Sequence, residues 1–420
     1  MEKFIIEGPC VLKGDLKVSG SKNAALPIIA ATILAKGKYQ ISNIPMILDI
    51  ENMLSILDDL GARTTLKNNI CTIDTTDINS FEPDARKVRN IRASILLLGP
   101  LLARFNEVVL DQPGGCFIGA RPVSTHLAAL IDLGAKQIES PDSYHFRATG
   151  LLGAKIKIEK FSVTGTENTI MAAVLAKGTT EIQNAATEPH VIDLCNFLIK
   201  MGANISGIGT HNLTIQGVQA LSSADYKIIP DQIEAGTFVI AAAATKGQVK
   251  ISGFIKEHQK SFLQKLDDIN IEYSFPEEDV IEITDATNLR ATNIVTGVSP
   301  GFPTDLQAPF GVLITQARGT STINETVFEG RLSYLKELNK MGANCVIDND
   351  HEASVTGPTP LTGTTIESFD LRAGATLLIA SLIAKGESTI EKAERIDRGY
   401  EKIDERLNAL GAKIRRVTAE

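Results

Sequence analysis

Tryptophan is absent from the 420 residues, and aromatic residues together reach only 5%. Single-stranded nucleic acids are held largely by stacking on aromatic side chains, so a binder of that kind is not expected. Positive charge is not in excess either. Lys and Arg number 42 against 50 Asp and Glu, a formal net charge of −8. That argues against capture of nucleic acid by bulk charge, and any anionic ligand must be held by local clusters of Lys and Arg. Long apolar runs are missing: the most apolar stretches, 93–103, 238–244 and 377–384, fall well short of the ~20 residues that span a bilayer. The opening MEKFIIEGPCVLKG lacks the apolar core and small-residue cleavage site of a secretory signal. Cysteines are few and irregular, at 10, 71, 116, 195 and 345, with no CxxC pair, and the six histidines are scattered. Neither a disulfide framework nor a zinc site follows from such spacing. The expectation is a reduced, cytoplasmic protein without metal, membrane or nucleic acid. At 43% hydrophobic and 22% charged residues the chain has the composition of a folded globular protein, not of a disordered one.

What is present is repetition. An apolar, small-residue-rich phrase ends in Ala-Lys-Gly or a variant at Gly37, Gly178, Gly247, Gly319 and Gly386, with a degenerate copy ending at Phe105. The successive spacings are 68, 73, 69, 72 and 67 residues. A second phrase, Leu/Met-Gly-Ala, begins at Leu60, Leu133, Met201, Met341 and Leu410, and Asp268-Ile269-Asn270 weakly fills the missing slot. Internal periods of this kind mark repeated structural units, here six of about 70 residues. Each predicts βαβαββ, an α/β fold. The first helix of each unit is capped at its C-terminus by the Lys-Gly or Arg-Gly. The second, as in DIENMLSILDDLGA (49–62), is amphipathic. First helices such as FVIAAAA (238–244) are apolar all round, which predicts burial on every side and strands wrapped around internal helices. The units divide into two domains of three repeats, with crossings near Ser21 and Pro230. One domain spans 22–230; the other is discontinuous, 1–21 plus 231–420, with the N-terminal strands completing its last unit.

The repeats differ where chemistry is expected. Fourteen residues before the closing Gly stand Asn23, Asp305 and Arg372, with Lys22 beside Asn23 and Arg92 one position on in the degenerate unit. A helix N-terminus binds anions through free N–H groups and partial positive charge, and Lys22, Arg92 and Arg372 add to it. Asp305 also reads as a plain N-cap, a position Asp favours. Twelve residues before Leu/Met-Gly-Ala stand Arg121 and Arg398, and Arg331 stands ten before. Each reads either as an exposed helix-end charge or, because the slot recurs, as part of a shared anion site.

Cys116 lies in DQPGGCFIGARPVSTH (111–126) with Arg121 five residues on. A lone Cys is usually a small buried hydrophobe, the reading given to Cys71, Cys195 and Cys345. The glycine-rich surroundings of Cys116 suit an exposed, titratable thiol, protonated at neutral pH and able to donate a proton. A Cys–His nucleophile pair with His126 is the weaker alternative.

Seven segments carry a resemblance: GSKNAALPI (20–28), IRASILLLGPLLARF (91–105), GGCFIGARPV (114–123), FPTDLQA (302–308), ETVFEGR (325–331), DLRAGA (370–375) and IDRGYE (396–401). In this order, over essentially the whole chain, they resemble the UDP-N-acetylglucosamine (UDP-GlcNAc) enolpyruvyl transferase family. The resemblance implies two inside-out α/β domains with the active site in the cleft between them. It implies transfer of the enolpyruvyl group of phosphoenolpyruvate to the 3′-hydroxyl of UDP-GlcNAc with release of phosphate, the committed step toward peptidoglycan, with no cofactor. By motif, Cys116 is then the acid that protonates the enol carbon and the residue fosfomycin alkylates. Asp305 is the base facing the sugar hydroxyl. Lys22 and Asn23 are phosphoenolpyruvate ligands, and Arg121 and Arg398 grip phosphate and carboxylate, with Arg331 and Arg372 nearby. Arg92, Arg121, Pro122, Val123, Ser124, Thr125, Lys160, Ser162, Val163, Asp305 and Val327 match UDP-GlcNAc contacts. The family usually continues Arg-Pro-Val with Asp, where this chain has Ser124 and Thr125.

Two other readings stand beside this one. The first is enolpyruvyl transfer to shikimate 3-phosphate on the same fold, which the Gly-Gly-Cys loop and the UDP-sugar segments oppose. The second is a catalytically weak paralogue that binds UDP-GlcNAc as a sensor or scaffold, which retention of Cys116, Asp305, Lys22 and Arg398 together opposes.

Overall fold

The computed structural model describes residues 2–114 and 123–418, a mixed α/β fold. The chain divides into two compact units, with boundaries between Ser19 and Gly20 and between Ile229 and Pro230. Each has its own hydrophobic core.

In the unit formed by the first 19 residues and those from 230 on, the core is built on three helices: Gln232–Ala244, Thr304–Gln316 and Leu371–Ile383. All of Gln232–Ala244 except Gln232 is buried, and all of Leu371–Ile383 except Ile383. Their sequences carry no polar stripe because no side faces water. Small residues let the helices close on one another: a Cβ on Gly236 would lie 2.7 Å from Leu306 Cδ1 of the neighbouring helix.

The sheets repeat one pattern. Ile294–Val295 leads into the Thr304–Gln316 helix, and Gly319–Asn324 returns parallel to it. After the Tyr334–Lys340 helix, the hairpin Asn344–Ile347 and Glu352–Gly357 completes the sheet. In the other unit Lys155–Lys157, the Val163–Ala173 helix and Thr179–Gln183 do the same. Short strands next to the two crossings close the edges of sheets within their own units. Lys13–Lys17 pairs in parallel with Gln248–Ser252, and Tyr226–Lys227 with Lys38–Ser42. Glu2–Gly8 lies inside its sheet, between Gly386–Glu391 and Ile414–Thr418. The sheet of the degenerate repeat holds three strands among the described residues, Glu107–Asp111, Ser143–Arg147 and Lys136–Ile138.

The second repeated phrase has a backbone cause. Gly61, Gly134, Gly202, Gly342 and Gly411 all have positive φ, between 91° and 107°, the left-handed turn that ends a helix. Asn270, in the weak copy, adopts φ 68°, a conformation Asn tolerates better than most residues. The first phrase needs a correction. Gly319 and Gly386 open the following strands; they do not cap helices. Those helices end at Gln316 and Ile383, and Ala317 and Ala384 are already extended. Among the described residues no helix is long and apolar enough to cross a membrane.

Candidate active site

Asp305 lies in the first turn of the Thr304–Gln316 helix, whose N-cap is Pro303 without a side-chain cap bond. The plain N-cap reading is therefore overturned. The Asp305 carboxylate accepts from Arg331 on Oδ1 and from Arg372 Nε at 3.1 Å on Oδ2. Both guanidinium side chains are 4% exposed, whereas Asp305 is 25% exposed. Charge-assisted bonds of this kind are strong, and they fix the direction of the carboxylate.

Arg372 follows Asp370, which caps the Leu371–Ile383 helix by accepting from Arg372 N and Ala373 N at 2.7 and 3.0 Å. Its guanidinium stands 5.2 Å from the Tyr400 ring centroid. Burial alone would push this guanidinium toward deprotonation; Tyr400, Asp305 and Asp231 outweigh it and hold its pKa above the ordinary arginine value. Arg372 Nη1 is buried and has no hydrogen-bond partner. A buried, unused donor on a fixed cation is uncommon and suits an anionic oxygen. Arg331 lies against Phe328, 5.5 Å from its ring centroid. Arg398 ends the short helix Ala393–Arg398 and is half-buried.

In the other unit, Lys22 is the first residue of the Lys22–Ala31 helix, capped by Ser21. It is nearly buried, and its Nζ is 2.7 Å from Asp49 Oδ2. Sequence reasoning missed Asp49. Its signal was present, since Asp49 stands eleven residues before Leu60, one position past the slot where Arg121 and Arg398 stand. Asn23 is the half-buried neighbour of Lys22. Both Lys22–Ala31 and Thr304–Gln316 contain a proline four residues past the candidate ligand, Pro27 after Asn23 and Pro309 after Asp305. Pro309 therefore lies inside the helix rather than in the flanking loop. Proline has no N–H, so neither the Asn23 nor the Asp305 carbonyl receives the usual i+4 bond.

A third group forms around the start of the Val163–Ala173 helix. Ser162 caps it, accepting from Gly165 N at 3.0 Å, and Thr125 Oγ1 donates to the Lys160 carbonyl at 3.3 Å. Val163 opens this helix, and Ser124 opens the Ser124–Asp132 helix after Val123. Beneath them His126 is buried, with Asn168 Nδ2 donating to Nδ1 at 2.8 Å and Thr164 Oγ1 3.2 Å from Nε2. Burial, and then the charge of Arg92, push the His126 pKa down to about 4. The ring is a neutral bridge between two helices. Arg92 opens the short helix Arg92–Leu97, and burial lowers its pKa.

Cys116, Arg121 and Pro122 lie outside the described residues. Cys71, Cys195 and Cys345 are buried, and burial pushes each thiol up to about 12. They are core residues, as expected. Among the described residues no group of three or more His, Cys, Asp or Glu could hold a metal ion.

Comparison with known proteins bears on this arrangement. The sequence model of EPSP synthase (3-phosphoshikimate 1-carboxyvinyltransferase) matches residues 6–407. A UDP-N-acetylglucosamine 1-carboxyvinyltransferase of Helicobacter pylori is 45% identical over 421 aligned positions, covering 99% of each chain. One of Saccharophagus degradans is 44% identical over 421 positions, covering 99% of this chain and 100% of its own. Among solved structures, the enolpyruvyl transferase NikO from Streptomyces tendae superposes with a TM-score of 0.91 at 25% identity, covering 100% of this chain and 99% of that one.

Proposed function

This chain belongs to the EPSP synthase (3-phosphoshikimate 1-carboxyvinyltransferase) family, and on that premise we propose the following reaction and roles for its residues. The enzyme transfers the enolpyruvyl group of phosphoenolpyruvate to the 3′-hydroxyl of UDP-GlcNAc and releases phosphate. The observation that carries the choice of acceptor is the full-length likeness, at 44–45% identity, to relatives named for that reaction. Shikimate 3-phosphate, the acceptor in the family's description, is not favoured.

The reaction is an addition followed by an elimination. The sugar oxygen bonds to C2 of phosphoenolpyruvate while C3 gains a proton, giving a tetrahedral intermediate. Loss of a proton from C3 and of phosphate from C2 restores the double bond. Cys116 serves as the acid toward C3 and as the site of fosfomycin alkylation. Asp305 accepts from, or orients, the sugar hydroxyl. Its two arginines fix its direction, which supports this role more than a cap would. The unused Arg372 Nη1 suits a substrate oxygen. Lys22, Asn23, Arg121, Arg331 and Arg398 balance the phosphate and carboxylate charges. Arg92, Pro122, Val123, Ser124, Thr125, Lys160, Ser162, Val163 and Val327 serve the nucleotide sugar. The Ser162 hydroxyl and the Val327 N–H are already engaged within the protein, so those contacts fall to other atoms of the two residues. The fold reading that goes with this function is two inside-out α/β domains, residues 22–230 and the remainder, that supply groups to one cytoplasmic reaction.

Phosphate release from phosphoenolpyruvate tests the reading. Release that depends on UDP-GlcNAc, and not on shikimate 3-phosphate, is the expected result. Fosfomycin should abolish it with a single adduct on Cys116. Dependence on shikimate 3-phosphate alone would overturn the choice of acceptor.

A further inference from the structure

The ETVFEGR segment holds a residue that the proposed chemistry does not use. Glu325 is fully buried at the end of the Gly319–Asn324 strand. Its backbone is fixed on both sides by His351: Glu325 N donates to His351 O, and His351 Nδ1 faces Glu325 O, each at 2.7 Å. Its carboxylate accepts from four neutral donors. Thr296 Oγ1 at 3.0 Å, Val327 N at 2.9 Å and Phe328 N at 3.2 Å reach Oε1, and Thr304 Oγ1 at 2.7 Å reaches Oε2. Burying a carboxylate is costly unless its acceptor sites are filled, and here the donors come from both sides of the Asp305 site.

These contacts close a ring. Thr304 is the residue before Asp305. Asp305 accepts from Arg331, and Arg331 lies against the ring of Phe328. Phe328 N returns to Glu325. Glu325 is thus the one side chain in this ring that holds both the helix start carrying Asp305 and the turn carrying Val327.

We propose that Glu325 is a positioning residue for the transfer: through Thr304 it sets where the Asp305 carboxylate stands, and through the Val327 and Phe328 amides it sets the turn leading to Arg331. The inference rests on the reading of Asp305 as the group that meets the acceptor hydroxyl. Glu325 touches no reacting atom itself. Small misplacements of a reacting group cost rate steeply, roughly a hundredfold for an ångström.

The test measures kcat, KM for UDP-GlcNAc and the melting curve for four variants. Thr304→Val cuts the link to the Asp305 helix alone. It should lower kcat at least about tenfold while KM stays within about twofold. Glu325→Ala releases the turn as well and should lower kcat by roughly a hundredfold and raise KM. Glu325→Gln keeps an acceptor for the amides and an NH₂ for the Thr304 oxygen, and should recover kcat to within about tenfold of the parent. Asp305→Asn is the reference. If it loses turnover while Thr304→Val and Glu325→Ala keep theirs, positioning by Glu325 is wrong. If Asp305→Asn itself turns over at the parental rate, the reading beneath fails and the inference falls with it. Should Glu325→Ala not fold, Thr304→Val decides.

Discussion

At the level of single residues, the decisive question for Asp305 is what its charge balances. Two guanidiniums that are 4% exposed lean on it, so Asp305→Asn removes the counter-charge of buried cations as well as a proton acceptor. Breaking a fully buried pair costs about 3–5 kcal/mol; with Asp305 itself a quarter exposed, about 1–3 kcal/mol is the fitting range. The expected outcome is a lowered melting temperature together with a turnover loss of at least about a hundredfold, read by calorimetry and steady-state kinetics on one preparation. This departs from what the sequence suggests, because an N-cap Asp exchanged for Asn would melt almost unchanged. The position of Asp305 was legible from the repeat slot. Arg331 and Arg372 stood in repeat slots as well, but their pairing with Asp305 was not legible, because they come from 26 and 67 residues away. His126 gives a second prediction. Its folded pKa of about 4 lies below the ordinary histidine value of 6.5, so its contribution to stability is present above pH 6.5 and is lost as pH falls toward 4. That difference corresponds to roughly 3 kcal/mol at most. His126→Gln should therefore flatten the fall in unfolding free energy across that pH window, measured by urea titrations at a series of pH values.

At the level of elements, the helices are where reading and structure agree best and where they diverge in an informative way. Small apolar phrases announced helices buried on all sides, because a helix without a polar stripe has nowhere to face water. Their C-terminal ends were misread, since a Gly after Lys or Arg serves equally well to start a strand with positive φ, as Gly319 and Gly386 do. Pro309 was visible in the sequence as well, but its place one turn past Asp305 inside a buried helix was not. Proline within a helix normally costs about 3 kcal/mol, and a cost kept beside the proposed acceptor of the sugar hydroxyl suggests that the missing donor serves the site. Pro309→Ala restores the donor to the Asp305 carbonyl. It should leave the melting temperature unchanged or raised and lower kcat about tenfold, a trade of activity against stability. A raised melting temperature with full activity would show the proline to be incidental.

At the level of the whole molecule, each unit has a separate core, so residues 20–229 produced alone should unfold in one cooperative, urea-induced transition. Residues 230–420 alone should not, because they lack Glu2–Gly8, which supplies an inner strand of one sheet, and Lys13–Lys17, which supplies the edge of another. The sixfold phrase suggests two sets of three repeats, while the short edge strands, two or three residues long, carry too little pattern to be seen. The inner place of Glu2–Gly8 also sets a timetable for the growing chain. That strand leaves the ribosome about 410 residues ahead of one of its two neighbours, Ile414–Thr418. At ~5–20 residues per second the wait is roughly 20–80 s. During it a strand with both edges unpaired must stay out of aggregates while the inserted unit folds. A nascent chain arrested before residue 386 should accordingly hold a protease-resistant middle and a first segment that chaperones can still reach.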